Sequence, residues 1–364
     1  MGVLVSVRSA ATLLPFLLVP SLAAQVVTWP TSASHWLCGS ITAKGTPLRI
    51  QMALSFADEQ GAATKVVGEY RYVHKGLPIR VEGRYDADRH TLELDEFVVH
   101  RQGEAERCSG HFRGTTQPGL LAATGTWSAG DGTAGVPFTL RLEAVARTAS
   151  VREPLAYSWE EDMVSFLGDH ALAREATARI RKEGLERLDG GPTAVRKEVA
   201  EWLDASHASG SSLVPTQMSG GHRFGVHFVA ERLVSLGGLV HEFTGGAHPN
   251  SALTCLNLVQ RGDTVRELKL ADLAAGKDAA PRLHRLVYDD LRRQGASGAP
   301  SPKEPPTDFD ALDTFVVSPA GVLFGFSPYE VGCYAEGCYY VHLDWTQLRG
   351  ALNAPPELGV AAAK

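Results

Sequence analysis

Leu48, Ile50, Met52, Leu54 and Phe56 alternate with Arg49, Gln51, Ala53 and Ser55. A period of two over that length predicts a strand with one buried and one outward face. Similar runs recur up to residue 145: "KVVGEYRYVH", "LPIRVEGRYD", "TLELDEFVVH", "AERCSGHFRG", "GLLAATGTW" and "VPFTLRLEA". Glycine, proline or Asp-Ala-Asp clusters separate them, and no helical period intervenes. Residues 36–145 are therefore expected to form an all-β unit. A meander of about eight antiparallel strands can close into a small barrel and lose its exposed edges. Gly68, Gly83, Gly110, Gly114 and Gly125 lie in or beside these runs, where bends or bulges are expected.

Residues 146–156 read as a polar linker. Beyond it the period changes. Trp159, Met163, Phe166 and Leu167 recur at helical spacing, and Ala171–Leu188 continues the pattern. Gly190-Gly191-Pro192 is expected to break it, with Thr193 capping a second helix that runs to about Ala205. Strand-like runs return from Gly221, with a hairpin turn at Arg261-Gly262-Asp263. Pro281–Gln294 predicts a helix with Leu283, Leu286, Val287 and Leu291 on one face. Two strands, "TFVVS" and "GVLFGFSPYE", then "YYVHLDW" and a short helix from Thr346 to about Leu352 complete the pattern, before a frayed tail at 353–364. The expected class is α+β: an N-terminal all-β meander or small barrel, then, over 157–352, an antiparallel sheet packed with helices.

Residues 1–24 carry Arg8, an apolar run from Ala10 to Val19 and the small residues Ser21-Leu22-Ala23-Ala24. That is the layout of a secretory signal, so a periplasmic or secreted protein is expected. Nothing later is apolar enough to cross a bilayer, so no membrane span is expected once the signal is removed. The net charge of −6, or −7 without Arg8, argues against nucleic acid as a partner. Export permits disulfides. Of the five cysteines, Cys38 and Cys108 are expected to staple the β unit, worth about 4 kcal/mol in the chain-entropy account. Cys333 and Cys338 are expected to close a turn, leaving Cys255 as a buried apolar residue.

The stretch "HEFTGGAHPN" at 241–250 invites a test for chemistry. A zinc protease helix needs His-Glu-x-x-His, and here Gly245 stands where the second histidine belongs. Gly245-Gly246 suits a tight turn, and Pro249 pushes His248 to an extended conformation. "GFSPY" at 325–329 lacks the last glycine of a nucleophile elbow, and "DFDALD" at 308–313 lacks the glycine and glutamate of a calcium loop. No metal, no cofactor and no catalytic residue is expected from these patterns. Trp36, Trp127, Trp159, Trp202 and Trp345 read as core anchors.

Thr244-Gly245-Gly246-Ala247-His248, followed by Phe324, Phe326, Pro328, Tyr329, Glu330, Tyr334, Ala335, Gly337 and Leu348, resembles one family. It is the extracytoplasmic domain of unknown function that ends the lysozyme-sensing anti-sigma factor RsiV and the peptidoglycan deacetylase PdaC. The resemblance covers about residues 157–352. It implies helices packed on an antiparallel sheet and a non-catalytic, binding role, with a protein or peptidoglycan-related ligand and lysozyme as a candidate. The chain lacks the sigma-binding segment and the deacetylase domain of those proteins, so neither activity carries over. Ligand-binding candidates are Thr244, Gly245, Gly246, His248, Pro249, Asn250, Ser327, Tyr329, Glu330 and Tyr334, on two outcropping segments that the resemblance brings near one another. The competing expectation is a cell-envelope hydrolase using histidine or metal chemistry, with His222, His227, His241 and His248 as its material.

Overall fold

The structure, a computed structural model, describes residues 33–57, 63–98, 106–132, 134–153, 157–208, 218–243, 248–300 and 306–359. The expected signal segment lies outside them. The alternating runs form β1 (His35–Ala43), β2 (Thr46–Phe56), β3 (Ala63–Tyr72), β4 (Ile79–Asp86), β5 (Thr91–Val98), β6 (Arg107–Thr116), β7 (Ala122–Ala129) and β8 (Val136–Glu153). Each pairs antiparallel with the next, and β1 also pairs with β8, so the eight strands close into a barrel. The alternation in β2 is the barrel lining: Ile50, Met52 and Leu54 are at most 1% exposed. Leu37, Leu92, Leu94 and Phe112 fill the same interior. Gly114 and Gly125 face each other across β6 and β7, and a Cβ on Gly125 would lie 2.2 Å from the Arg113 carbonyl oxygen. The strands approach too closely there for any side chain.

Residues 146–153, expected as part of a connector, are the second half of β8. Here the strand leaves the barrel and pairs with β9 (Tyr157–Phe166). β9 lies parallel to β10 (Met218–Ala230), and α1 (Ala171–Ala208) makes the crossover that a parallel pair requires. β11 (Leu233–Phe243), β12 (Asn250–Arg261) and β13 (Thr264–Glu267) extend the sheet antiparallel. Two local expectations are corrected here. The segment from Trp159 to Phe166 is a strand, because Glu161 and Asp162 are themselves buried and paired, which hides the period of two. The helix continues through Gly190-Gly191-Pro192 instead of restarting at Thr193.

The outer wall of the barrel packs on this sheet. Trp36 shares a core with Phe224, Val226 and Leu236 and with Ile180 of α1, and Gln51 donates to the Val229 carbonyl at 3.2 Å. On another side of the sheet lie α2 (Ala279–Gln294), β14 (Phe315–Ser318), β15 (Gly321–Phe326) and β16 (Tyr339–Leu343). Phe228, Leu233 and Val259 meet Leu283, Val287 and Phe324 in one apolar cluster. β14 is an edge strand of its own three-stranded sheet. Side chains satisfy its backbone: Ser235 Oγ accepts from Val317 N at 2.9 Å, and Asn257 Nδ2 donates to Phe315 O at 2.8 Å. In place of the short helix expected from Thr346 to about Leu352, residues 345–351 are successive turns.

Neither expected disulfide forms, and all five cysteines are free thiols. β1 and β6 are separated around the barrel by β8 and β7. Three strand spacings make roughly 14 Å, whereas bridged cysteines need Cα atoms within about 7 Å. Cys38 instead packs outward against the second sheet, where burial pushes its thiol up to about 12. At the other pair, Cys333 is exposed, while Cys338 turns into an apolar cluster with Leu253, Val316 and Leu323. Among the described residues, no helix is long and apolar enough to cross a membrane.

Candidate functional site

The loop from Ser327 to Cys338 joins β15 to β16, and its foot is tied to the start of β12. Ser327 is buried, and its hydroxyl accepts the Leu253 N–H at 3.0 Å. That makes this candidate a structural residue. Val331, also buried, anchors the loop from below. Above it Glu336 gathers four donors: Cys333 N at 3.0 Å, Ser297 N at 3.0 Å, Ser297 Oγ at 2.5 Å and Tyr339 Oη at 2.7 Å. Bonds from Ser297 and Cys333, with Tyr339, hold its carboxyl well below the usual carboxylate range. A side chain on Gly332 would strike it, with Cβ 2.4 Å from Oε2. The carboxylate thus closes the turn in which a disulfide was expected.

This foundation sets three rings together. The His248 ring stacks on Tyr334 with centroids 3.7 Å apart and planes 17° from parallel. Tyr334 Oη donates to the Pro249 carbonyl at 2.6 Å, and Tyr329 Oη lies 3.4 Å from His248 Nε2. His248 Nδ1 lies 3.0 Å from the Pro249 carbonyl, so a proton on Nδ1 leaves Nε2 to accept from Tyr329. Tyr329 and Tyr334 are 5.6 Å apart. Tyr329 has φ +74° and is 63% exposed. An aromatic residue in the left-handed region costs roughly 1–2 kcal/mol, and such strain clusters where function needs it. Glu330 and Asn250 are exposed nearby in sequence. Thr244, Gly245 and Gly246 lie outside the described residues. The result is an exposed platform of two phenols and an imidazole, with flat faces for stacking and polar edges for hydrogen bonds.

The other histidines sit elsewhere. His222 is buried on β10, with Nε2 2.9 Å from Thr254 Oγ1 and Nδ1 3.2 Å from Glu161 Oε1. The Glu161 approach is an ion-pair contact without hydrogen-bond alignment. Burial pushes Glu161 up, but contacts with His222, Arg187 and Trp159 outweigh it and hold the carboxyl low. Gly238 makes room for the His222–Thr254 pair, since a Cβ there would lie 2.3 Å from Thr254 Oγ1. His241 faces the opposite side of the sheet from His222, because His222 pairs with Val240 across the register. His227 is buried at the barrel contact. Burial, then Arg71 and His342, push it well below its ordinary value. The buried Glu161 and the loop-closing Glu336 were missed from sequence. For Glu336 a signal existed, because Cys333-x-x-Glu336 has capping-box spacing.

A barrel, a helix-backed sheet and a side-chain-docked hairpin bearing an aromatic rim define a mostly β protein of the α+β class. Residues 271–346 match the family model "Protein of unknown function (DUF3298)". The chain contains a DUF3298 domain over those residues. The motif from Phe324 to Gly337 lies inside the match, and the Thr244–His248 half lies before it. None of the curated proteins matches the chain. Solved structures that resemble it include a member of the DUF3298 family from Bacteroides fragilis and a DUF3298 family protein from Pseudomonas aeruginosa. The first has 17% identity and TM-score 0.43, covering 59% of this chain and 96% of that one. The second has 17% identity and TM-score 0.36, covering 59% and 94%.

Proposed function

We propose that this is an exported protein that binds a protein or cell-wall ligand without transforming it, with lysozyme a ligand of the right kind. The contact surface is the platform of His248, Tyr329 and Tyr334. One observation carries this: rings from two distant segments are assembled at the surface, with Tyr329 exposed in a backbone conformation that aromatic residues avoid. Tyrosine anchors of this kind commonly dominate binding energy. The test is calorimetric titration of the purified protein with lysozyme and, separately, with soluble peptidoglycan fragments. Binding of either ligand, weakened roughly 30-fold or more in Tyr334→Ala as for a hot-spot residue, supports the platform. Equal affinity in wild type and Tyr334→Ala would remove it. Export is tested by fractionation, with a mature N-terminus near Gln25 as the expected result.

A second function, an envelope hydrolase, has one arrangement in its favour. His222 lies between the carboxylate of Glu161 and the hydroxyl of Thr254, an order that could activate a nucleophile. Release of soluble products from peptidoglycan, lost in Thr254→Val, would establish it over the binding role.

A further inference from the structure

The second site lies on the barrel, shares no residue with the aromatic platform and is independent of its role. On β5 and β6, Asp95 and His111 are direct cross-strand partners. Cys108 stands three residues before His111, a spacing that in a regular strand puts two side chains on opposite faces. The register between β5 and β6 slips at this point: Glu96 pairs with Gly110, and Phe97 pairs with Cys108. The extra residue, Ser109, is a bulge, and it reverses the parity. Ser109 turns inward to donate to Glu96 Oε1 at 2.7 Å, in a network that Tyr70 and Trp127 complete from the barrel interior. Cys108 is thereby sent to the outer face, beside His111 and Asp95. Its sulfur lies 3.9 Å from each imidazole nitrogen, and His111 Nδ1 lies 2.8 Å from Asp95 Oδ1. One donor atom from each residue lies within 4.8 Å of the others.

We propose that Cys108, His111 and Asp95 form a binding site for a divalent transition metal of the zinc class, with a fourth position open to solvent. Sulfur, nitrogen and oxygen donors together suit that ion, whose bonds of about 2.0–2.3 Å place tetrahedral ligand atoms roughly 3.2–3.8 Å apart. The sulfur is nearly at that spacing from the imidazole and within 4.8 Å of the carboxylate donor, and the imidazole and carboxylate need to part by about half an ångström. Metal binding displaces the thiol proton to solvent. One neighbour opposes the site. Arg113 donates to Asp95 Oδ1 at 2.6 Å, and its charge repels a cation. The oxygen that faces His111 is thus shared with a guanidinium, and a bound metal has to displace that bond.

The test is cobalt(II) titration of the full, reduced protein, followed by absorption. The expected result is a thiolate-to-cobalt charge-transfer band that saturates at one equivalent and is reversed by zinc. Cys108→Ser is expected to abolish the band. His111→Ala and Asp95→Asn are expected to weaken zinc by at least the about 10–100-fold that loss of a supporting partner costs. Arg113→Gln is expected to tighten it. Absence of the band in wild type, or its persistence in Cys108→Ser through another thiol, would overturn the assignment. All four positions are on the outer face, and unchanged circular dichroism of the variants distinguishes lost binding from lost fold.

Discussion

At Tyr329 a conformational cost and an exposed ring coincide, and one substitution separates them. Glycine relieves the left-handed backbone but loosens the unfolded chain, two effects of about 1 kcal/mol and opposite sign. Tyr329→Gly is therefore expected to melt within about 3 °C of wild type while losing ligand affinity, a pattern that a structural tyrosine would not give. That size follows from a net effect below about 1 kcal/mol in a chain of this length. Protonation provides a second check. His227 binds a proton less readily when folded than when unfolded, because burial and Arg71 oppose the charge. Its contribution is thus complete above the unfolded value of about 6.5 and is lost as the pH falls below it. Urea denaturation between pH 7.5 and 5 should show stability falling with acid, and His227→Gln should flatten that slope. Glu336 follows the same linkage with the ionised form favoured in place of the neutral one: its carboxyl is held low when folded, so its contribution disappears as acid protonates it below about 4.5. Of these residues, Tyr329 was visible in the sequence as a binding candidate and His227 as material for a hydrolase, while Glu336 was not singled out. The buried contact of His227 with Arg71, which lies 156 positions away, was not visible.

Among the elements, the barrel strands were the most legible. In β2 the polar positions face out and the apolar positions face in, so period and burial coincide. β9 was misread because both of its faces are covered and acidic residues sit among the buried ones. Glu161 is fully buried against Arg187, and Asp162 is bonded to Arg223 and to the Phe224 N–H. A hydrophobic pattern carries no sign of such pairs. The disulfides failed for a related reason: chain order does not tell that β7 and β8 stand between β1 and β6. Docking of β14 was equally hidden, since Ser235 and Asn257 are ordinary polar letters within β11 and β12. Ser235 Oγ bonds Asn257 Oδ1 at 2.6 Å while accepting from Val317 N, all of it buried. Ser235→Ala leaves both partners unsatisfied and is expected to cost roughly 1–3 kcal/mol, measurable by denaturant titration.

At the scale of the molecule, the proposed boundaries, 36–145 and 157–352, meet a strand that crosses them. β8 belongs to the barrel up to its pairing with β1 and to the second sheet beyond it. The barrel wall bearing Trp36 and Cys38 is covered by the sheet that follows and by α1. A fragment ending at residue 145 would expose that apolar wall and lose the partner strand of β9. It is expected to self-associate and to melt below the full chain, a difference that light scattering and calorimetry would reveal. Independent melting of two fragments at the temperatures seen in the intact protein would instead establish two autonomous units.

The unbroken run of β8 also governs geometry. Turning the barrel against the sheet would have to break the pairing of β8 with β1 or with β9. The thiol–imidazole–carboxylate corner and the ring-stacked rim are therefore borne on parts coupled through one strand and the cores beside it. Anything that grips one end aims the other.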